Sequence, residues 1–136
     1  MGNGQSLKKT STNKKRLLVV GMSYSGFQIA SQLWDYFQVT IIDQNNYFEH
    51  IVNTVKCAID DKYFDSLVQP LYKTSEAYKD KFTFKQARLV LVNDNNSVDV
   101  ETIPSGSRKT LYYDYLVLCT GSSYNAPIKN ATATDY

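Results

Sequence analysis

The chain has 136 residues, 43% of them hydrophobic and 21% charged, with a net charge of +2. That length allows one domain, and that composition excludes a disordered, collagenous or disulfide-framed chain. The longest uncharged apolar run, Leu17 to Met22, is far short of the roughly 18–20 residues of a membrane span, and the small net charge gives no whole-chain basic field of the kind that attracts nucleic acid.

The charge is unevenly placed. Residues 1–16 contain Lys8, Lys9, Lys14, Lys15 and Arg16 and no acid, whereas the other 120 residues carry a net −3. With Leu7 as its one large apolar side chain between Ser6 and Arg16, this segment is expected to be a flexible basic tail. It lacks the apolar h-region of a secretory signal. A reducing compartment follows, with Cys57 and Cys119 as free thiols and the Asn95 and Asn130 glycosylation sequons as incidental. Met1-Gly2-Asn3-Gly4-Gln5-Ser6 fits the N-myristoylation pattern, with Gly2 as the acceptor. One acyl chain binds a membrane only marginally, and the five basic residues would supply a second signal toward an anionic cytosolic-face membrane surface. The plainer alternative is a polar tail that is never acylated.

The ordered pattern starts at residue 17. Leu17-Leu18-Val19-Val20 reads as a strand buried on both faces of a parallel sheet. It runs into Gly21-Met22-Ser23-Tyr24-Ser25-Gly26, after which Phe27, Ile29, Ala30, Leu33, Trp34 and Phe37 recur at helical spacing and predict a helix over about Ser25 to Tyr36. Val39-Thr40-Ile41-Ile42 is a second strand, ending at Asp43. This is a right-handed βαβ unit with its two strands parallel. The turn approximates the dinucleotide fingerprint Gly-x-Gly-x-x-Gly. Gly21 permits the tight turn, Gly26 lets the helix pack close to the strand, and the free amides at the helix start face a pyrophosphate. Asp43 stands where a carboxylate accepts both ribose hydroxyls. Ser23 departs from the fingerprint, since its Cβ limits backbone approach while its hydroxyl can donate. The bland alternative is a βαβ unit that binds nothing.

Tyr47, Phe48, Glu49 and the single histidine, His50, fall in an expected loop between Asn45 and Asn53. Residues 59–80 read as partly helical, with Phe64, Leu67 and Val68 on one face and Pro70 either ending that helix or starting another. Lys73 to Lys81 reads as a solvated helix face. Thr83–Val92, Val98–Ile103 and Lys109–Tyr113, separated by Asn93-Asp94-Asn95-Asn96 and Pro104-Ser105-Gly106-Ser107, predict an antiparallel meander. Tyr115-Leu116-Val117-Leu118-Cys119, ending at Thr120-Gly121-Ser122, is too continuously apolar for the meander. It is expected to join the parallel sheet with cover on both faces. Cys119 reads as a small core residue, because no second cysteine lies at Cys-x-x-Cys spacing.

Taken in order, the 17–26 strand and turn, the 39–43 strand, Tyr47-Phe48-Glu49-His50, the meander and Tyr113-Asp114-Tyr115-Leu116-Val117-Leu118-Cys119-Thr120-Gly121-Ser122 resemble the N-terminal part of the FAD-dependent pyridine nucleotide-disulfide oxidoreductase superfamily. Within it, the chain is most similar to the apoptosis-inducing-factor-like and ferroptosis-suppressor-like NAD(P)H:quinone oxidoreductases. The stretch ending in Thr120-Gly121 resembles that family's alanine-threonine-glycine motif, with Cys119 in the alanine position.

The resemblance implies an α/β fold, a Rossmann-like FAD-binding half-domain of parallel sheet plus antiparallel β-meander over residues 17–128, between the 1–16 tail and a polar 129–136 tail. It implies FAD on Gly21, Ser23, Tyr24, Ser25 and Gly26, with Asp43 on the adenosine ribose. Arg88 or Leu89 would meet the adenine through the backbone, Thr120 and Gly121 would approach from the next strand, and His50 would lie near the flavin ring. NAD(P)H would be the electron donor and a quinone the acceptor; no catalytic side chain and no metal ligand is assigned. The family's second fingerprint for NAD(P)H has no counterpart in this sequence. The expectation is a shortened or partial oxidoreductase that does not turn over alone; the alternative is a non-catalytic, membrane-tethered interaction module.

Overall fold

A computed structural model of the chain describes residues 14–51, 54–57, 59–60, 62–63 and 67–122. Gly2, Lys8, Lys9 and Phe64, and residues 123–136, which include the expected 129–136 tail, lie outside the described residues. In chain order the elements are β1 (Arg16–Val20), α1 (Tyr24–Leu33), β2 (Gln38–Asp43), β3 (Tyr47–Glu49), α2 (Thr54–Cys57), β4 (Val68–Pro70), α3 (Leu71–Ala77), β5 (Phe82–Asn93), β6 (Ser97–Thr102), β7 (Arg108–Tyr112) and β8 (Tyr115–Leu118).

The six long-range strands form one sheet in the order β7-β6-β5-β2-β1-β8. β1 runs parallel to β2 on one side, with Leu18 opposite Thr40, and parallel to β8 on the other, with Leu18 opposite Leu116. Side chains alternate faces along a strand, so the continuous apolar run of β1 feeds two cores. Leu17 and Val19 join Val39, Ile41, Ala30, Met22, Leu71 and Phe82 beneath α1. Leu18 and Val20 join Ile42, Ala87, Val98 and Val100 beneath the meander. All four β1 residues from Leu17 to Val20 are buried, as the sequence requires of a central parallel strand.

The parallel sheet and the meander are one continuous sheet, because β5 serves both. Its first half, Phe82 to Gln86, pairs in parallel with β2. Its second half, Ala87 to Asn93, pairs antiparallel with β6, with a bulge at Leu89–Leu91. The twelve-residue length of β5 gives the change of partner room.

Three expectations need correction. Tyr47–Glu49 is not loop but strand β3, paired antiparallel with β4 in a separate two-stranded sheet. Leu67 and Val68 are not helical: Leu67 is a buried turn residue and Val68 begins β4. Pro70 precedes helix α3, taking the N-cap position where its missing N–H costs nothing. The β8 strand joins the parallel sheet as expected, but at its edge. Tyr115 and Leu118 are about half exposed, so the apolar run there is not covered on both faces.

The start of β1 is tied to the turn before β8. The Arg16 backbone amide and guanidinium both donate to the Asp114 carboxylate, at 2.7 and 3.2 Å. Those hydrogen bonds, more than the attraction of the Arg16 charge, hold the Asp114 carboxyl below its ordinary range.

Candidate functional site

The strand–turn–helix junction is built by exclusion of side chains. Gly21 has φ of +101°, which an L side chain rarely adopts. A Cβ there would run into the carbonyl oxygen of Cys119, and a Cβ on Gly26 would run into the carbonyl oxygen of Gly21. Both glycines are thus imposed by backbone-to-backbone packing, one between β1 and β8 and the other between α1 and the turn.

Short hydrogen bonds lock this geometry. The Gly21 amide donates to the Ile42 carbonyl and the Cys119 amide to the Val20 carbonyl, each at 2.7 Å. The Met22 amide donates to Asp43 Oδ2, also at 2.7 Å. Asp43 Oδ1 accepts from the Asn45 amide at 2.9 Å. Asp43 therefore has a role that its sequence position did not reveal: it clamps the glycine turn. Each of its oxygens keeps a further lone pair for a ligand hydroxyl.

Helix α1 starts immediately beyond. Its first main-chain bond runs from the Phe27 amide to the Ser23 carbonyl, so the amides of Tyr24, Ser25 and Gly26 have no partner inside the helix. Ser23 makes no side-chain cap bond, and no acid occupies the first turn. The positive end of the helix is left available for an anion.

A cleft of about 280 Å³ opens at the carboxyl ends of β1, β2 and β8, the position at which open α/β sheets take ligands. Of the residues expected at the site, Gly21, Ser23, Asp43, Arg88, Leu89, Thr120 and Gly121 border it. Arg88 is also paired with Glu101 at 3.2 Å. Tyr24, Ser25, Gly26 and His50 are not among the lining residues. Ser25 and Gly26 contribute through the helix backbone, and His50 stands beside the cleft, hydrogen-bonded to Tyr24. The outer wall is formed by Tyr47, Phe48, Glu49 and Ile51. In the sequence Tyr47, Phe48 and Glu49 read as an aromatic-rich loop that formed part of the family resemblance, whereas Gln44, Asn45, Ile51 and Ala87, which also line the cleft, carried no signal of their own.

The described basic residues of the amino-terminal segment engage the fold. Lys14 Nζ donates to the Trp34 carbonyl at 3.3 Å, Lys15 lies over the Tyr115 ring, and Arg16 pairs with Asp114. Among the described residues no helix is long and apolar enough to cross a membrane.

No protein-family model matches the chain. It is 30% identical over 118 residues to apoptosis-inducing factor homolog B of Dictyostelium discoideum, a match covering 87% of this chain and 28% of that protein. The fold matches the reduced CoADR-RHD of Bacillus anthracis with a TM-score of 0.70 and 15% identity, over 85% of this chain and 22% of that one. It also matches the sulfide:quinone oxidoreductase of Aquifex aeolicus with a TM-score of 0.62 and 25% identity, over 76% of this chain and 24% of that one. The chain thus spans little more than a quarter of the curated relative it matches. By sequence and fold together, it is a relative of the apoptosis-inducing-factor homologues within the FAD-dependent pyridine nucleotide-disulfide oxidoreductase superfamily.

Proposed function

We propose that the cleft is an FAD site, and that the chain supplies flavin binding to an NAD(P)H-dependent oxidoreductase of the quinone-reducing kind. The observation that carries this reading is the convergence at one cleft of a side-chain-free turn, an uncapped helix start and the Asp43 carboxylate. A dinucleotide has a matching set of groups: a pyrophosphate for the helix amides and vicinal hydroxyls for the acid.

The residues present fit the group. The Ser23 hydroxyl, free of any cap bond, would donate to a pyrophosphate oxygen. Asp43 would accept from the ribose while keeping its hold on Met22. The backbone at Arg88 and Leu89 would edge the adenine, and Thr120 and Gly121 would close the floor. The cleft is at the small end of the ~300–1,000 Å³ typical of ligand pockets, which suits the adenosine and pyrophosphate half of the cofactor. Bound FAD supplies the electron-transfer chemistry; the chain's own residues bind and orient it. Likeness to a sulfide:quinone oxidoreductase supports a quinone as the acceptor class.

We also propose that Gly2 is myristoylated and that Lys8, Lys9, Lys14, Lys15 and Arg16 add electrostatic attraction to an anionic membrane face. Among the described residues, Lys14, Lys15 and Arg16 contact the fold. Intact-mass measurement on protein from eukaryotic cells would show the acyl group on the wild type and none on Gly2→Ala.

The test of the main reading is the purified protein with excess FAD. Expected are retained yellow colour and a thermal upshift that Asp43→Ala diminishes. A colourless protein with no shift would overturn the FAD site and return the chain to the alternative of a non-catalytic module.

A further inference from the structure

Three rings gather at the wall of the cleft. Tyr24, the first residue of α1, meets Phe48 edge-on, with centroids 4.8 Å apart and planes at 81°. Phe48 meets His50 at 4.5 Å and 89°. The Tyr24 hydroxyl lies 3.0 Å from His50 Nδ1. Phe48 is the member of the trio that borders the cleft.

This contact joins the start of α1 to the small β3–β4 sheet. Tyr24 follows Ser23 directly, so one peptide link separates it from the phosphate-facing turn. His50 belongs to the other side, where its amide donates to the Leu67 carbonyl at 2.7 Å at the end of the small β3–β4 sheet. The Tyr24 ring is half exposed, at 50%. Burial alone therefore holds it weakly, and the hydrogen bond supplies the direction that an edge-on ring contact lacks.

We propose that Tyr24 and His50 are positioning residues. The Tyr24 hydroxyl donates to His50 Nδ1, and this bond holds Phe48 in the cleft wall, coupling the wall to the glycine turn. A neutral imidazole accepting at Nδ1 carries its proton on Nε2, so the bond also selects the tautomer. Neither side chain touches the ligand; both act through Phe48. The ligand arm of the test rests on the FAD reading, and a second arm does not.

The experiment uses the full chain as wild type, Tyr24→Phe, His50→Ala, His50→Asn and the double variant Tyr24→Phe/His50→Ala. Tyr24→Phe removes only the hydroxyl, whereas His50→Asn keeps an acceptor near the Nδ1 position. With FAD as the probe, Tyr24→Phe and His50→Ala should each weaken binding about 3- to 10-fold, the span of one net hydrogen bond. The double variant should be no worse than His50→Ala alone, since both changes remove the same bond. His50→Asn should restore affinity. Without FAD, NMR should show His50 as the Nε2–H tautomer, with nuclear Overhauser contacts between the Tyr24 and Phe48 rings that both single variants lose.

Additive FAD losses, or ring contacts unchanged in Tyr24→Phe, would overturn the proposal. If wild type binds no FAD, the cofactor reading fails, and the NMR arm still decides the positioning pair.

Discussion

Two sides of the cleft are made in opposite ways. The glycine turn is fixed by main chain against main chain: Gly21 against Cys119, Gly26 against Gly21, and amides bonded at 2.7 Å to Ile42 and Asp43. The aromatic wall is fixed by side chains. Strands β3 and β4 are three residues each, Tyr47, Phe48 and Glu49 are all only partly buried, and ring edges and one Tyr24–His50 bond join them to α1. A site built this way has a rigid half that tolerates almost no substitution and a compliant half that can be adjusted residue by residue.

The sharpest break in that comparison is Gly26→Ala. The added methyl collides with a carbonyl oxygen that other packing holds in place. It should cost about 3 kcal/mol, at the upper end of overpacking changes, read from the urea midpoint at unchanged slope. Next is Asp43→Ala, which strips the acceptor from the Met22 and Asn45 amides. A loss of about 2 kcal/mol is expected for abandoned partners of a charged acceptor, together with weaker FAD binding in titration. Phe48→Ala should cost only about 1 kcal/mol, below the ~3–5 kcal/mol of a fully buried phenylalanine, while still reducing flavin affinity. A Phe48→Ala loss as large as that of Gly26→Ala would erase the distinction between the two halves.

The smallest effect concerns the far end of β1. The Asp114 carboxyl is held below its ordinary value of 3.8 by Arg16. A depressed folded-state pKa contributes stability above the unfolded-state value, lost as pH falls through the folded one. Thermal scans between about pH 5 and pH 2 should show a steeper acid decline for wild type than for Asp114→Asn. The pair is exposed, so the difference should be slight and should shrink further in salt.

The same contrast explains what could be read from the chain. β1, α1, β2 and β8 follow from periodicity and from glycines whose positions backbone geometry dictates. Helix α1 ends at Leu33, earlier than its apolar spacing suggested, because Trp34 serves as its C-cap and stacks on Tyr78 instead of extending the turn. Strands β3 and β4 were not legible. Three residues are too few to display alternation, and their pairing joins Tyr47 to Pro70 across a gap in sequence. The double duty of β5 was hidden for a similar reason: a strand's side-chain pattern does not reveal that its partner changes midway. For Asp43, position gave the expected ribose role, but its clamp on Met22 depends on how β1 and β2 come into register.

The pairing of β1 with β8 also has a kinetic consequence. Arg16 and Asp114 meet across 98 residues of sequence, and Gly21 finds its packing partner only when Cys119 arrives. Contacts this distant pay their loop-closure entropy before they return any energy. During synthesis the βαβ unit can form early, but its turn has nothing to close against until β8 has left the ribosome. The glycine turn and the cleft beside it should therefore take their final shape only once β8 is in place, in one step later than the βαβ unit.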